Sequence, residues 1–285
     1  VALDANYGFA EGNNRALPYI TTPYAVFLNT DVEVPPGWLG PLIRLLEANP
    51  RAAAVQPKIR AWWSKDSLEY AGAAGGYIDA WGYPFCRGRI FDTLEPDTGQ
   101  YDTPQPVFWA TGACLAVRMK AIQEVGLFEG RYFAHMEEID LCWRLQRAGW
   151  QVWVEPAACV WHVGGGALPK TNPFKTYLNF RNSLWTLRRN LPARTLLWLL
   201  PLRFVLDWLE IARALTQRRT GDAQAILRAH RHALFQPLPD WTTNTTHLPV
   251  LPLTRLGGVY RRSIVWAYFA RGKRTFSTLR QELFS

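Results

Sequence analysis

"YAVFLNTDVEV" occupies Tyr24–Val34. An apolar run that turns polar at Asn29 reads as a buried parallel strand, with its polar end opening onto a crevice. "PPGWLGPLIRLLEANP" follows: Pro35-Pro36-Gly37 make a turn, and apolar residues recur at helical spacing from Trp38 to Ala48. "AAAVQPKIR" is then a short strand ended by Pro57. Turn, helix, strand, helix and strand within the first sixty residues give the pattern of an α/β fold on a parallel sheet.

Working outward, "VALDANYGFAEGNN" reads as a strand entering a Gly-rich turn. A domain rarely starts in mid-strand, so the chain is expected to lack its first strands. Residues 62–106 carry Gly, Pro and aromatics without periodicity and are expected to form a long functional loop with short strands. "PVFWATGACLAVRMKAIQEVG" gives a strand, a Gly turn, a strand and a helix. Glu138 to Ala148 has helical spacing, with Gly149 as C-cap. "WQVWVEPAACVWHVGGG" reads as a final strand pair leaving the core at His162.

From Thr176 the texture becomes Leu-rich, aromatic and Arg-studded, which divides the chain into a catalytic domain at 1–175 and a basic amphipathic helical region at 176–285. Residues 181–285 hold 17 Lys+Arg against 5 Asp+Glu, or +12; the rest is −3, within a total of +9. Such asymmetry points to an anionic partner for the tail, either lipid or nucleic acid. Within "TYLNFRNSLWTLRRN" and "RTLLWLLPLRFVLDWLEIARALTQRR" the longest uncharged run, Thr195–Leu202, has eight residues, against roughly 20 for a spanning helix. A helix lying in a membrane interface and a helix packed on the catalytic domain both remain open. No helix-turn-helix, zinc-finger or RNP signature supports nucleic acid. The four cysteines, Cys86, Cys114, Cys142 and Cys159, form no CxxC pair. With no signal peptide in view, they fit a reducing, cytoplasmic setting.

Several positions carry chemistry. Asp31, at a strand end, offers an oxygen ligand suited to Mg²⁺ or Mn²⁺, although Asp there is more often a turn or cap residue. His162, ahead of three glycines, offers an imidazole ligand; a lone His is usually structural. "NYGFAEGNN" presents Gly8, Gly12 and Asn13 in a turn that can aim backbone N–H groups at phosphate, without the spacing of GxGxxG or the Lys of a P-loop. Glu137, Glu138 and Asp140 crowd three carboxylates into four positions. That raises the cost of ionising each, unless the acids merely complement a helix N-terminus.

In order, these segments resemble the family 2 glycosyltransferases, and within them the rhamnosyltransferase-like enzymes of bacterial surface polysaccharide assembly. The resemblance rests on "NYGFAEGNNRAL", "VFLNTDVEVPPGWL", "ATGACLAVR", "EEIDLCWRLQRAGWQVWVEPAACVWHVGG" and "KTYLNFRNSL", across roughly residues 1–190. It implies a GT-A, Rossmann-like fold with a C-terminal helical extension. The implied activity is inverting transfer from a UDP-, dTDP- or GDP-sugar to a saccharide or lipid-linked acceptor, at the inner face of the cytoplasmic membrane. By the same resemblance Asp31 and His162 bind Mg²⁺ or Mn²⁺. Asn29 stands where the family has a first acid. Gly8, Gly12, Asn13, Thr111 and Gly112 line the donor. Glu138, or its neighbour Glu137, is the general base; the family more often has Asp at the second position. The aromatic stretch Trp62–Phe91 is available to stack on sugar rings or to fill the core. The family's opening strand, with its early base-reading acid, is not present. The alternatives are a nucleic-acid-binding protein that uses the basic aromatic tail and a glycosyltransferase-like scaffold without turnover.

Overall fold

In a computed structural model describing residues 2–164, 172–236, 245 and 247–285, the apolar run Tyr24–Leu28 forms strand β1. A turn leads to the short strand β2 (Val32–Glu33). The helix α2 (Leu39–Ala48) follows and buries Leu42, Leu45 and Leu46 against Val55, Ala116 and Ala158. Their i, i+3, i+4 spacing makes one apolar stripe. The long strand β3 (Ala52–Ala61) is buried over its first eight residues, as a strand with both faces covered should be.

The first sheet also takes β4 (Ser64–Leu68), β9 (Gln105–Val107), β10 (Cys114–Arg118) and β11 (Gln151–His162). Its main order is β1-β10-β3-β11-β2, with β4 on β3 and β9 on β11. The α/β class holds, but the sheet is mixed rather than parallel. β3 and β11 pair in parallel, while β10 lies antiparallel between β1 and β3. The sheet neighbours of β10 are β1 and β3, both remote from it in sequence and neither its predecessor β9, so local periodicity does not fix its direction. β11 is one bulged strand and not a pair. Its register slips between Glu155 and Cys159, where Pro156 has no N–H for the ladder.

Residues 62–106 are more ordered than a loop. They supply β5 (Gly76–Asp79), β6 (Pro84–Cys86), β7 (Arg89–Ile90) and β8 (Thr93–Leu94), which with β12 (Val259–Tyr260) make a second, five-stranded sheet. Tyr77 and Phe85 are buried there against Phe276 and Phe284, so these aromatics are core. Residues 2–7 form no strand: Tyr7 Oη donates to Asp4 Oδ1 (2.8 Å) and Gly8 N to Asn6 Oδ1 (2.9 Å). Such local bonds compete with strand pairing.

The remaining helices are α1 (Gly8–Asn14), α3 (Met119–Val125), α4 (Glu137–Arg147), α5 (Pro173–Asn190), α6 (Ala193–Thr216) and α7 (Thr220–Phe235). Gly149, with φ +86°, follows α4 as the C-cap spacing required. The described chain beyond Phe235 is not a run of amphipathic helix but an irregular segment with short helical turns and the two-residue strand at Val259–Tyr260, and Leu253, Leu256, Val259, Ile264, Phe276 and Leu279 join the main core. Among the described residues no helix is long and apolar enough to cross a membrane.

Asp79 is the tie between the second sheet and this returning segment. Its side chain is fully buried and accepts from the N–H groups of Trp81 (2.9 Å), Tyr83 (2.8 Å) and Ile264 (2.8 Å). Burial pushes its pKa up to about 6, against the pull of those three donors. Asp79→Ala orphans all three and is expected to lower stability by about 2–4 kcal/mol. Urea unfolding should show the midpoint fall at constant slope; an unmoved midpoint would show that the segment docks through its aromatics alone.

Candidate active site

Four segments meet at the C-terminal ends of β1, β3 and β11, the side where open α/β sheets bind ligands. After β1 the backbone turns at Asn29, whose N–H donates to the Ala113 carbonyl (3.0 Å). That bond docks the Asn29–Asp31 turn on the Thr111–Ala113 turn. Thr111 is buried; its N–H donates to Gln56 Oε1 (2.9 Å) and its Oγ1 accepts from the Ala113 N–H (3.2 Å). Gly112 is a close-approach point: a Cβ there would lie 3.1 Å from the Phe9 ring and 3.9 Å from Glu138 Cβ. The Gly turn and the acid pair are therefore neighbours in space.

At the end of β11, His162 is held between two acids. Nε2 lies 3.2 Å from Asp31 Oδ1, and Nδ1 lies 3.2 Å from Glu69 Oε2. Burial alone would depress the imidazole; Glu69 and Asp31 outweigh it and hold its pKa above the ordinary value. Among the described residues no group of three or more His, Cys, Asp or Glu side chains forms a metal cluster. The Asp31–His162 pair still fits a hard divalent cation. Neighbouring ligands on an octahedral ion stand about 3 Å apart, and Mg²⁺ commonly takes one or two protein ligands plus substrate phosphates. A carboxylate behind the imidazole, as Glu69 is, fixes the tautomer of a ligating His.

The turn before α4 is strained. Phe133 (φ +66°), His135 (+69°) and Met136 (+72°) are left-handed although none is glycine, each at a cost of about 1–3 kcal/mol. The surroundings hold it. Asn182 of α5 shares its side-chain amide among the carbonyls of Tyr132 (3.1 Å), Ala134 (3.0 Å) and His135 (2.7 Å). From the other side Ala10 N–H donates to the Phe133 carbonyl (3.1 Å), with Gly8 packed on Phe133 at φ +74°. Gly8 thus supports the turn, and the Asn13 side chain caps the Phe9 carbonyl (2.8 Å). A Cβ on Gly12 would meet nothing within 4 Å.

This turn launches α4 with its carboxylates in different environments. Glu137 is buried; burial first, and the Glu138 charge second, push its pKa well above the carboxylate range. Burial lifts Glu138 to about 7. One oxygen of each, and Nε2 of His135, is enclosed without a hydrogen-bond partner. Asp140 is the opposite case. It is fully buried, which alone would raise its pKa, but Arg189 and Arg144 outweigh burial and hold it low. Arg144 Nε (2.8 Å), Arg189 Nη1 (2.9 Å) and Asn190 Nδ2 (2.9 Å) all donate to it. Asp140 anchors the helix, and Glu137 and Glu138 are left for chemistry.

Sequence reasoning named Asp31, His162, Thr111, Gly112 and the acid pair, and the structure brings these together. It missed Glu69, Asn182, His135 and Arg189. Asn182 lies within the quoted "KTYLNFRNSL" and Arg189 in its continuation, but nothing in their spacing tells which segment each holds. Glu69 sits in a stretch without periodicity.

Residues 1–126 match the family model described as Glycosyl transferase family 2. The N-acetylglucosaminyl-diphospho-decaprenol L-rhamnosyltransferase of Mycobacterium tuberculosis is 31% identical over 176 residues, covering 55% of this chain and 56% of that one. Rhamnosyltransferase WbbL of Escherichia coli is 28% identical over 158 residues, covering 53% and 59%. The chain thus spans little more than half the length of these curated relatives. Among solved structures, mannosyltransferase PcManGT from Pyrobaculum calidifontis in complex with GDP-Man and Mn²⁺ superposes with a TM-score of 0.47 at 13% identity, covering 82% of this chain and 69% of that one.

The two kinds of carboxylate should separate in a stability measurement. A carboxyl with its folded pKa raised to about 7 destabilises the fold progressively as pH rises from its unfolded value through 7. Glu138→Gln is therefore expected to stabilise by about 1–2 kcal/mol at pH 8 and by little at pH 4. Asp140→Asn leaves Arg144 and Arg189 under-compensated and should cost about 3–5 kcal/mol. Thermal melts of both variants at the two pH values check this; equal losses would mean that the acids share one structural role.

Proposed function

From a chain that carries a glycosyl transferase family 2 domain, we propose a divalent-metal-dependent, inverting glycosyltransferase. It takes a sugar from a nucleotide donor and passes it to a saccharide or lipid-linked acceptor at the cytoplasmic face of the membrane. The observation that carries this reading is Glu138: a carboxyl lifted to about 7, with an enclosed free oxygen, beside the Gly112 turn. The rhamnosyltransferase relatives favour a deoxyhexose donor and an acceptor carried on a lipid diphosphate.

The chemistry follows from the residues. The acceptor hydroxyl oxygen attacks the anomeric carbon from the face opposite the leaving diphosphate. The bond from that carbon to the phosphate oxygen breaks, and the hydroxyl proton passes to Glu138. One displacement inverts the anomeric centre, and the products are a glycoside and a nucleoside diphosphate. A base with a pKa near the working pH combines readiness to accept the proton with a large ionised fraction, worth about 10²–10⁴-fold. Asp31 and His162 would hold Mg²⁺ or Mn²⁺, whose charge offsets that of the departing diphosphate. Glu69 orients His162. The buried Thr111 and the Gly112 backbone set how closely the sugar approaches Glu138. Trp62 bonds the His162 carbonyl through its N–H (3.0 Å), and Trp63 beside it is 75% exposed, an indole face open to a sugar ring.

Calorimetric titration of UDP-, dTDP- and GDP-sugars, with and without Mn²⁺, tests the reading. One nucleotide class should bind only with metal, and Asp31→Ala should abolish that binding. Glu138→Gln should keep donor binding yet lose transfer by at least a hundredfold. The rate of the unaltered chain should climb with pH to an inflection near 7 instead of near 4.5, because only the ionised base accepts a proton. Full transfer by Glu138→Gln would refute the base assignment, and donor binding without any transfer would identify an inactive scaffold.

A further inference from the structure

Helix α6 is apolar on both faces: it buries Leu199, Ile211 and Ala214, and two charges with them. A helix on a globular protein normally turns its apolar stripe to the core and its charges to water. Here Arg203 and Asp207 face inward, at 3% and 2% exposure. Arg203 donates to the carbonyls of Trp81 (3.2 Å) and Gly82 (3.1 Å) and to Ser183 Oγ (2.9 Å). Asp207 pairs with His230 of α7 at 2.9 Å.

The outward face is apolar. Leu197 (80% exposed), Trp198 (51%), Val205 (60%), Trp208 (57%), Leu209 (63%) and Leu215 (53%) recur at steps that keep them on one side of the helix. From Leu197 to Leu215 the row runs for about 27 Å. Exposed apolar patches on monomeric proteins seldom exceed a few hundred Å² unless something binds there.

The charges around the row select the partner. Arg194 stands at one end, and Arg213, Arg218 and Arg219 at the other, all exposed. Two carboxylates stand at that second end, Glu210 tied to Arg213 and Arg219 at 3.0 Å each and Asp222 tied to Arg219 at 2.6 Å, so the three arginines there still outnumber the acids. An apolar stripe holding two tryptophans between cationic ends matches a bilayer with anionic headgroups: rings and aliphatic chains enter the interface and arginines meet phosphate. A two-fold contact through the same stripe would bring those cationic ends against each other. A second projection supports the lipid assignment. Trp266 (58% exposed) and Phe269 (62%) follow Arg262 and Ile264, which bond the same Asp79–Tyr83 turn that Arg203 caps.

We infer that the outward face of α6, flanked by its terminal arginines, is a docking surface for an anionic phospholipid membrane. This deepens the membrane-face reading above, but it is measured without donor, acceptor or metal, so either can fail alone. The test is co-sedimentation of the full chain with vesicles of phosphatidylglycerol and phosphatidylcholine, beside pure phosphatidylcholine. Binding is expected to be strong only with phosphatidylglycerol and to weaken with salt. The exposed pair Trp198→Gln/Trp208→Gln should reduce it about tenfold while leaving the melting temperature unchanged. Arg213→Gln/Arg218→Gln should reduce the anionic preference. Two results overturn the inference: a chain that stays in the supernatant, or one whose vesicle binding survives the Trp pair. A dimer that this pair converts to monomers, seen by light scattering, would assign the face to a second copy and overturn it as well.

Discussion

The buried charge cluster at Asp140 is the constraint on which the rest of the site depends. α4 has to begin beside the Gly112 turn with two carboxyls, each with one enclosed oxygen unpartnered and only backbone hydrogen bonds against the cost of burial. That arrangement persists because the next turn of the same helix is fixed from three directions. Arg144 reaches the carbonyls of Val125 (2.6 Å) and Gly126 (2.8 Å), Arg189 and Asn190 arrive from α5, and Arg147 bonds the carbonyls of Leu248 (3.0 Å) and Pro249 (2.9 Å). A buried ion pair seldom adds much net stability, because desolvation offsets its attraction. Its worth here is geometric: with several donors on one carboxylate, α4 has one position and one rotation.

The same logic explains the left-handed turn at 133–136. A segment with three such non-glycine residues would relax if left alone. It is clamped by Asn182 from α5 and by α1 from the other side. Elements far apart in the chain, α1 and α5, thus meet at the start of α4. Residues 1–126 match the family model, yet the proposed base lies beyond them, as do Asn182, Arg189 and Asn190, which help to hold it. The C-terminal helices are part of the site's framework as well as an appendage.

What could be read from sequence divides along physical lines. The polar end of β1, the Gly turn and the acid cluster were legible because strand ends and helix starts have local signatures. The direction of β10 was not: it is set by pairing with β1 and β3, strands remote from it in sequence, which periodicity cannot report. The second sheet was hidden because its strands have two to four residues, and its partner β12 arrives some 180 positions later, too short and too distant for an alternating pattern to show. Glu69, Asn182 and Arg189 act through contacts far apart in sequence, and a single polar residue announces no such contact.

For α6, sequence left two readings open: a helix in the membrane interface, or one packed on the domain. The structure shows why they were indistinguishable. Both kinds of residue are present, on opposite faces. Arg203 and Asp207, which would break any spanning segment, are the groups that fasten the helix to the protein through Ser183, the 81–82 carbonyls and His230. The inward side takes these charges together with Leu199, Ile211 and Ala214, and a second set of apolar residues is left facing outward. Charge within a Leu-rich stretch therefore argues here against crossing a membrane, but not against lying on one. The arrangement would hold the face of α6 level with a bilayer while α5, continuous with the same bundle, keeps its grip on the turn before Glu138.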